Sequence, residues 1–168
     1  MPRKLSVPRT LLSCLVPALL LTATTPGVSQ QPVHWRLARA SERVVPPGGR
    51  LGLSLSAAID AGWHIYSLTQ PTGGPFATRI TVSEGGPLRL DGVIQAPPPE
   101  RLDDLSFGMV IQSYRRAVTF RLAARLAGNP LQDTAVVLVR YQACNGRICL
   151  LPRTDSVRLP LAQPVRKS

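Results

Sequence analysis

The stretch LGLSLSAAI, residues 51–59, is the part of the chain that indicates its fold most directly. Apolar side chains occur there at every second position, and glycine, serine or alanine stands between them. A period of two is typical of a β-strand that turns one face to a core and the other to solvent. The stretch therefore predicts a half-buried strand.

The same alternation recurs along the chain, and turn-forming residues separate one run from the next. Further runs are centred on Trp35, Ile80, Phe120, Leu138 and Val157. Clusters of proline and glycine lie between the runs, and no window favours a long amphipathic helix. Roughly eight or nine short strands, about ten residues apart, indicate a single antiparallel β-sandwich of immunoglobulin-like type.

The first 29 residues have the organisation of a secretory signal peptide. Three basic residues precede an apolar run at residues 11–21, and small side chains follow at Gly27 and Ser29. The run is shorter than the roughly 20 residues of a spanning helix. We therefore expect cleavage after Ser29, loss of Cys14 with the signal peptide, and a mature chain without a spanning segment. Residues 30–162 would form one domain, followed by a flexible tail at residues 163–168.

The mature chain is strongly basic. Without Arg3, Lys4 and Arg9 it keeps 17 basic residues against 9 acidic ones, a net charge of +8. The arginines are scattered singly, and aromatic residues make up only 5% of the chain. Nucleic-acid-binding proteins usually concentrate their charge on one face, so we expect no nucleic-acid partner. We attribute the charge to an arginine-rich proteome, and attraction to an acidic partner or to anionic lipid headgroups is the alternative.

Cys144 and Cys149 are the two cysteines left after cleavage, in the segment YQACNGRIC. An even number of cysteines in an oxidising compartment favours one disulfide. A bond that closes about six residues contributes only roughly 2 kcal/mol by chain entropy, which favours a working dithiol over a structural staple. A metal site is disfavoured, because only His34 and His64 could add imidazole ligands.

The register of this hairpin is open at the level of sequence. A four-residue loop at residues 145–148 would place the two cysteines opposite each other. A two-residue turn at Asn145 and Gly146 would instead place Cys149 opposite Gln142. Both registers keep the cysteine pair near a loop tip.

Two segments carry a resemblance to a known family. Residues 141–154, YQACNGRICLLPRT, resemble the cysteine segment of the amino-terminal periplasmic domain of DsbD-type thiol:disulfide interchange proteins. Residues 62–67, GWHIYS, followed by a Gly-Gly-Pro turn at 73–75, are similar to an early strand and turn of that family. The resemblance implies an immunoglobulin-like domain that relays reducing equivalents in the periplasm.

What the resemblance implies about the site can be stated residue by residue. Cys149 would attack partner disulfides, and Cys144 would resolve the mixed disulfide, with no cofactor beyond these cysteines. The partners would be thioredoxin-like periplasmic proteins or a membrane electron donor acting in trans, because this sequence has no thioredoxin-like Cys-x-x-Cys. The alternative is a non-catalytic immunoglobulin-like binding or chaperone-type module with a structural hairpin disulfide.

The family also covers its disulfide with a cap loop, which residues 103–108, DDLSFG, match in composition. Phe107, followed by Gly108, would cover the sulfurs, and Asp103 or Asp104 would tune their protonation. An ordinary polar loop before a strand is the alternative.

His64 and Tyr66 share one face of their strand but lie far from the cysteines in sequence. We therefore interpret them as structural, and we assign no catalytic role to Tyr141.

Overall fold

The computed structural model describes residues 31–41, 45–105, 107–127 and 133–161. Within these ranges the chain forms eleven β-strands and no helix. The strands are β1 (Val33–Arg39), β2 (Arg50–Ile59), β3 (His64–Tyr66), β4 (Arg79–Val82), β5 (Leu88–Leu90), β6 (Glu100–Asp104), β7 (Met109–Arg115), β8 (Ala117–Leu126), β9 (Thr134–Tyr141), β10 (Ala143–Cys144) and β11 (Arg153–Pro160). The predicted signal peptide, residues 1–29, and the predicted tail, residues 163–168, lie outside the described residues.

The strands form three antiparallel sheets, in the orders β1-β2-β8-β5, β10-β3-β7-β6 and β11-β9-β4. Trp35 of β1 contacts both Phe120 of β8 and Tyr141 of β9, so one core joins the first sheet to the third. The predicted immunoglobulin-like antiparallel β-sandwich is confirmed. In the part of the chain that the structure describes, no helix could cross a membrane.

Strand β2 shows why the alternating pattern predicted the fold. Its apolar residues at odd positions are buried, and the residues between them are less so. Leu55 lies opposite Leu37 of β1 and Phe120 of β8, so that all three face the core. The alternation therefore arises because one face of the sheet is covered by the core and the other is in contact with solvent.

The second sheet brings the cysteine hairpin next to residues that are distant in sequence. In β10, Cys144 pairs with His64 of β3. Strand β3 pairs on its other side with β7, and β7 forms a hairpin with β6. Asp104, at the end of β6, therefore lies near β3 and the cysteine hairpin.

The first two residues of the expected cap loop at 103–108 belong to a strand. Asp103 and Asp104 belong to β6, where they pair with Val110 and Met109 of β7. After the ladder ends, the Gly108 amide donates to the Asp104 carbonyl, and Gly108 adopts a positive φ of 61°. The prediction of a loop was therefore wrong for the two aspartates, because a short connection lets pairing extend to its edge.

Candidate active site

Cys144 and Cys149 form a disulfide, with their Cα atoms 4.1 Å apart. The two residues face each other as an isolated antiparallel bridge, so the four-residue loop is the correct register. The Asn145 amide donates to the Ile148 carbonyl, and the Asn145 side-chain oxygen accepts from the Arg147 and Ile148 amides. Gly146 follows with a φ of 81°, which glycine adopts without strain.

The two cysteines differ in their access to solvent. Cys144 lies within β10 and is 1% exposed, whereas Cys149 is half-buried and follows the exposed Ile148. A partner protein that approaches the loop therefore reaches Cys149 before Cys144.

The hydroxyl of Tyr66 lies at the centre of the site. Its oxygen is 2.9 Å from Asp104 Oδ2, 2.9 Å from Cys144 Sγ and 3.7 Å from Cys149 Sγ. A phenol has one proton to donate, and a carboxylate accepts it more strongly than a sulfur does. The hydroxyl therefore donates to Asp104 and rests its oxygen against Cys144. Burial, and then the hydrogen bond to Asp104, raise the pKa of Tyr66, so the phenol keeps its proton at neutral pH.

Asp104 and His64 continue the arrangement away from the sulfurs. Both side chains are buried, and His64 Nε2 lies 3.8 Å from Asp104 Oδ2. The His64 ring also meets the Tyr66 ring edge-on, with centroids 5.3 Å apart. Burial lowers the pKa of His64, the nearby charge of Asp104 opposes that shift, and Arg115 adds to it. The imidazole is therefore neutral at neutral pH.

A small hydrophobic cluster covers the inner side of the disulfide. Its buried members are Tyr66, Ile111 and Cys144, and its partly buried members are Leu102, Phe107, Met109 and Cys149. The Phe107 ring stands perpendicular to that of Tyr66, with centroids 6.1 Å apart. The segment between β6 and β7 thus adds an aromatic side chain to the cluster that contains both cysteines.

The predicted site residues are only partly brought together. Asp104 and Phe107 lie with Cys144 and Cys149, whereas Asp103 and Gly108 are exposed. Within residues 31–41, 45–105, 107–127 and 133–161, no group of three or more His, Cys, Asp and Glu side chains is placed to hold a metal ion.

The sequence argument missed that Tyr66 contacts the disulfide and that His64 adjoins Asp104. Their separation of about eighty residues from the cysteines counted against them, because the pairing of the short strands β3 and β10 leaves no trace in the alternation. The signal that was available is a pair of polar rings two residues apart on one strand face.

Comparisons with known proteins identify a family and a similar fold. The family model "Thiol:disulfide interchange protein DsbD, N-terminal" matches residues 36–161. The fold is similar to the crystal structure of the N-terminal periplasmic domain of ScsB from Proteus mirabilis, with a TM-score of 0.59 and 19% identity. That match covers 80% of this chain but 49% of the other, so the chain spans about half the length of that relative.

A second similar structure is the N-terminal domain of DsbD from Neisseria meningitidis in the reduced form, with a TM-score of 0.45 and 16% identity. That match covers 65% of this chain and 76% of the other. Among curated protein sequences no match was found.

Proposed function

This chain belongs to the family of the N-terminal domain of the thiol:disulfide interchange protein DsbD, and we propose that it passes reducing equivalents to partner proteins in the periplasm. The observation that carries the proposal is the disulfide between Cys144 and Cys149 at an accessible loop, with the Tyr66 hydroxyl against the inner sulfur. The periplasmic location is supported by the ScsB domain of the same fold, which is periplasmic.

The reaction has two exchange steps. In the reduced domain, the Cys149 thiolate attacks a disulfide of the partner, and one partner sulfur leaves with the electron pair of the broken bond. Cys144 then attacks the Cys149 sulfur, which releases the second partner sulfur and forms the Cys144–Cys149 bond. The partner gains two electrons, and the domain loses two. The half-buried position of Cys149 and the burial of Cys144 support this division of roles.

The second step also has to remove the proton of the Cys144 thiol. Tyr66 is suited to this, because its oxygen lies against Cys144 Sγ and its own proton is directed to Asp104. The thiol proton passes to the Tyr66 oxygen as the Tyr66 proton passes to the carboxylate. The phenol is neutral before and after the transfer, so no phenolate forms beside the sulfurs.

The partners we propose are thioredoxin-like periplasmic proteins or a membrane electron donor. The family points to such partners, and the surface near Cys149 suits a protein rather than a small molecule. Ile148 and Leu151 flank this cysteine with exposed apolar side chains. Apolar contact around a reactive sulfur positions a partner's disulfide for attack.

Trapping the mixed disulfide tests the proposal. Cys144→Ser removes the resolving thiol, so Cys149 should accumulate covalent adducts with periplasmic proteins. Non-reducing electrophoresis followed by mass spectrometry would detect and identify them. Cys149→Ser is the matched control, because it keeps one thiol but leaves it buried at Cys144. Equal adduct formation by both variants, or none by either, would contradict the proposal.

The reduction potential of the Cys144–Cys149 pair is a second test. An exchanging disulfide is expected above about −300 mV, and structural bonds typically fall below that value. Equilibration with glutathione or dithiothreitol buffers, followed by alkylation of free thiols, gives the potential. A value well below that limit would mark a structural bond.

A further inference from the structure

His64 is a buried group that the exchange reaction described above does not use. It is 2% exposed, and among the residues that the structure describes its Nε2 has no hydrogen-bond partner. Leaving a buried polar atom unsatisfied costs about 1–3 kcal/mol. Because this costly nitrogen lies beside the Asp104 carboxylate, we expect it to have a chemical role in the site.

The sheet holds His64 within reach of every other polar group of the site. It lies opposite Cys144 of β10 on one side and opposite Arg115 of β7 on the other. Tyr66 is on the same strand as His64, and their rings meet edge-on. Asp104 of β6 faces His64, with its Oδ2 atom 3.8 Å from His64 Nε2. A cavity of about 290 Å³, lined by His64, Asp103, Asp104 and Arg115 among others, leaves room for small side-chain movements.

We propose that His64 is the final proton acceptor of the resolving step and acts through Asp104 and Tyr66. The inference rests on the proposed exchange function and deepens it. In this relay His64 acts through Asp104 and Tyr66, so it is a positioning residue that holds the proton rather than a nucleophile or the base that takes the proton from the thiol.

Cys144 Sγ bonds to Cys149 Sγ, and the bond from Cys149 to the partner's sulfur breaks with both electrons on that sulfur. The Cys144 proton moves to the Tyr66 oxygen, the Tyr66 proton moves to Asp104 Oδ2, and that proton continues to His64 Nε2. In the tautomer protonated on Nδ1, Nε2 carries the lone pair that this transfer requires.

The direction of the last transfer follows from proton affinity. A neutral imidazole is intrinsically a stronger base than a carboxylate. The proton therefore ends on His64 and restores the charge of Asp104 beside the new imidazolium. Burial and Arg115 destabilise that imidazolium and Asp104 stabilises it, so His64 holds the proton only transiently.

The pH dependence has a definite sign. Burial lowers the pKa of His64, and the ring is a proton acceptor only while it is neutral. The contribution of His64 is therefore complete above that lowered pKa and is lost as the pH falls through it.

A two-phase thiol reaction separates this role from the exchange function itself. The reduced protein is mixed with 5,5′-dithiobis(2-nitrobenzoate), and release of thionitrobenzoate is followed by absorbance across a range of pH. The first equivalent reports attack by Cys149, and the second reports resolution by Cys144. We expect His64→Gln and His64→Phe to slow the second phase at least about tenfold and to change the rate of the first by no more than about twofold. In a plot of the second-phase rate against pH, both variants should lose an inflection on the acid side of the thiol titration.

His34→Gln is the matched control, because His34 is the other histidine of the chain and its side chain is 63% exposed. It should reproduce both wild-type phases. His64→Phe keeps a buried ring if the glutamine variant does not fold. An unchanged second phase and pH profile in a folded His64 variant would overturn the inference. Failure of the wild-type protein to release either equivalent would instead overturn the exchange function.

Discussion

Two buried tyrosines of this domain have nearly the same surroundings, and only one of them meets a sulfur. Tyr66 donates to Asp104 at 2.9 Å, and Tyr141 donates to Asp155 at 2.8 Å. Burial is the largest cause of a raised pKa in both, followed by the bonded aspartate. Only the Tyr66 hydroxyl also contacts Cys144 Sγ. A comparison of the two tyrosines therefore distinguishes the effect of a buried tyrosine on stability from its effect on thiol–disulfide exchange.

Replacing each tyrosine by phenylalanine uses this contrast. Tyr66→Phe and Tyr141→Phe each leave a carboxylate without its phenol donor, and each should lower the free energy of unfolding by about 1–3 kcal/mol. Urea titration measures that loss. Only Tyr66→Phe should also slow the resolving phase of the thiol reaction, because only Tyr66 lies against Cys144. Equal slowing by both variants would mean that Tyr66 acts through stability alone.

At the scale of elements, the turn between β6 and β7 places Phe107 in the cluster around the disulfide. The neighbouring Leu105, on the same turn, is 90% exposed. A side chain that packs beside a half-buried sulfur hinders the approach of a reagent, and a solvated one does not. The two residues therefore differ in their expected effect on the reactivity of the bond.

Phe107→Ala should speed the reduction of the Cys144–Cys149 bond by dithiothreitol several-fold, since it opens the cluster at Cys149. The measurement is the rate of thiol appearance in the oxidised protein. Leu105→Ala is the matched control and should react at the wild-type rate. If Phe107→Ala reacts no faster than this control, Phe107 does not shield the disulfide.

The length of each strand determines how well it could be predicted from the sequence. Long strands such as β2 and β8 cover the core with one face, so their period of two was visible and the sandwich was predictable. Strand β3 has only three residues, all buried, and β10 has two. No alternation can be read in such short, doubly covered strands. The cysteine pair and Asp104 could therefore be predicted from motifs, whereas the contact of Tyr66 with them required the pairing of β3 with β10.

For the molecule as a whole, the core is built without the disulfide. Most residues of the main hydrophobic cluster come from the first and third sheets, and the second sheet adds Ile65, Tyr114 and Ala143 but neither cysteine. Cys144 belongs to the separate small cluster with Tyr66 and Ile111. The bond closes only a short loop, with a sequence separation of 5 residues. Its contribution to folding should therefore be minor beside that of the core.

We expect the double variant Cys144→Ala, Cys149→Ala to remain folded and to lose about 2 kcal/mol of unfolding free energy, the chain-entropy value for so short a loop. Urea titration followed by circular dichroism measures the loss. Wild-type protein kept in dithiothreitol is the control and should lose a similar amount. Complete unfolding of the double variant would show that the bond is a structural requirement.

The bridge between Cys144 and Cys149 also has a kinetic consequence. A thiol held opposite its target acts at an effective concentration far above that of any thiol in solution. In the proposed exchange, once Cys149 has captured a partner, release is governed by an intramolecular step and depends little on how tightly the partner is bound. Completion of the exchange then does not require a high non-covalent affinity for the partner, so brief and weak encounters are sufficient. A domain organised in this way can serve several partners in succession without a tailored interface for each of them.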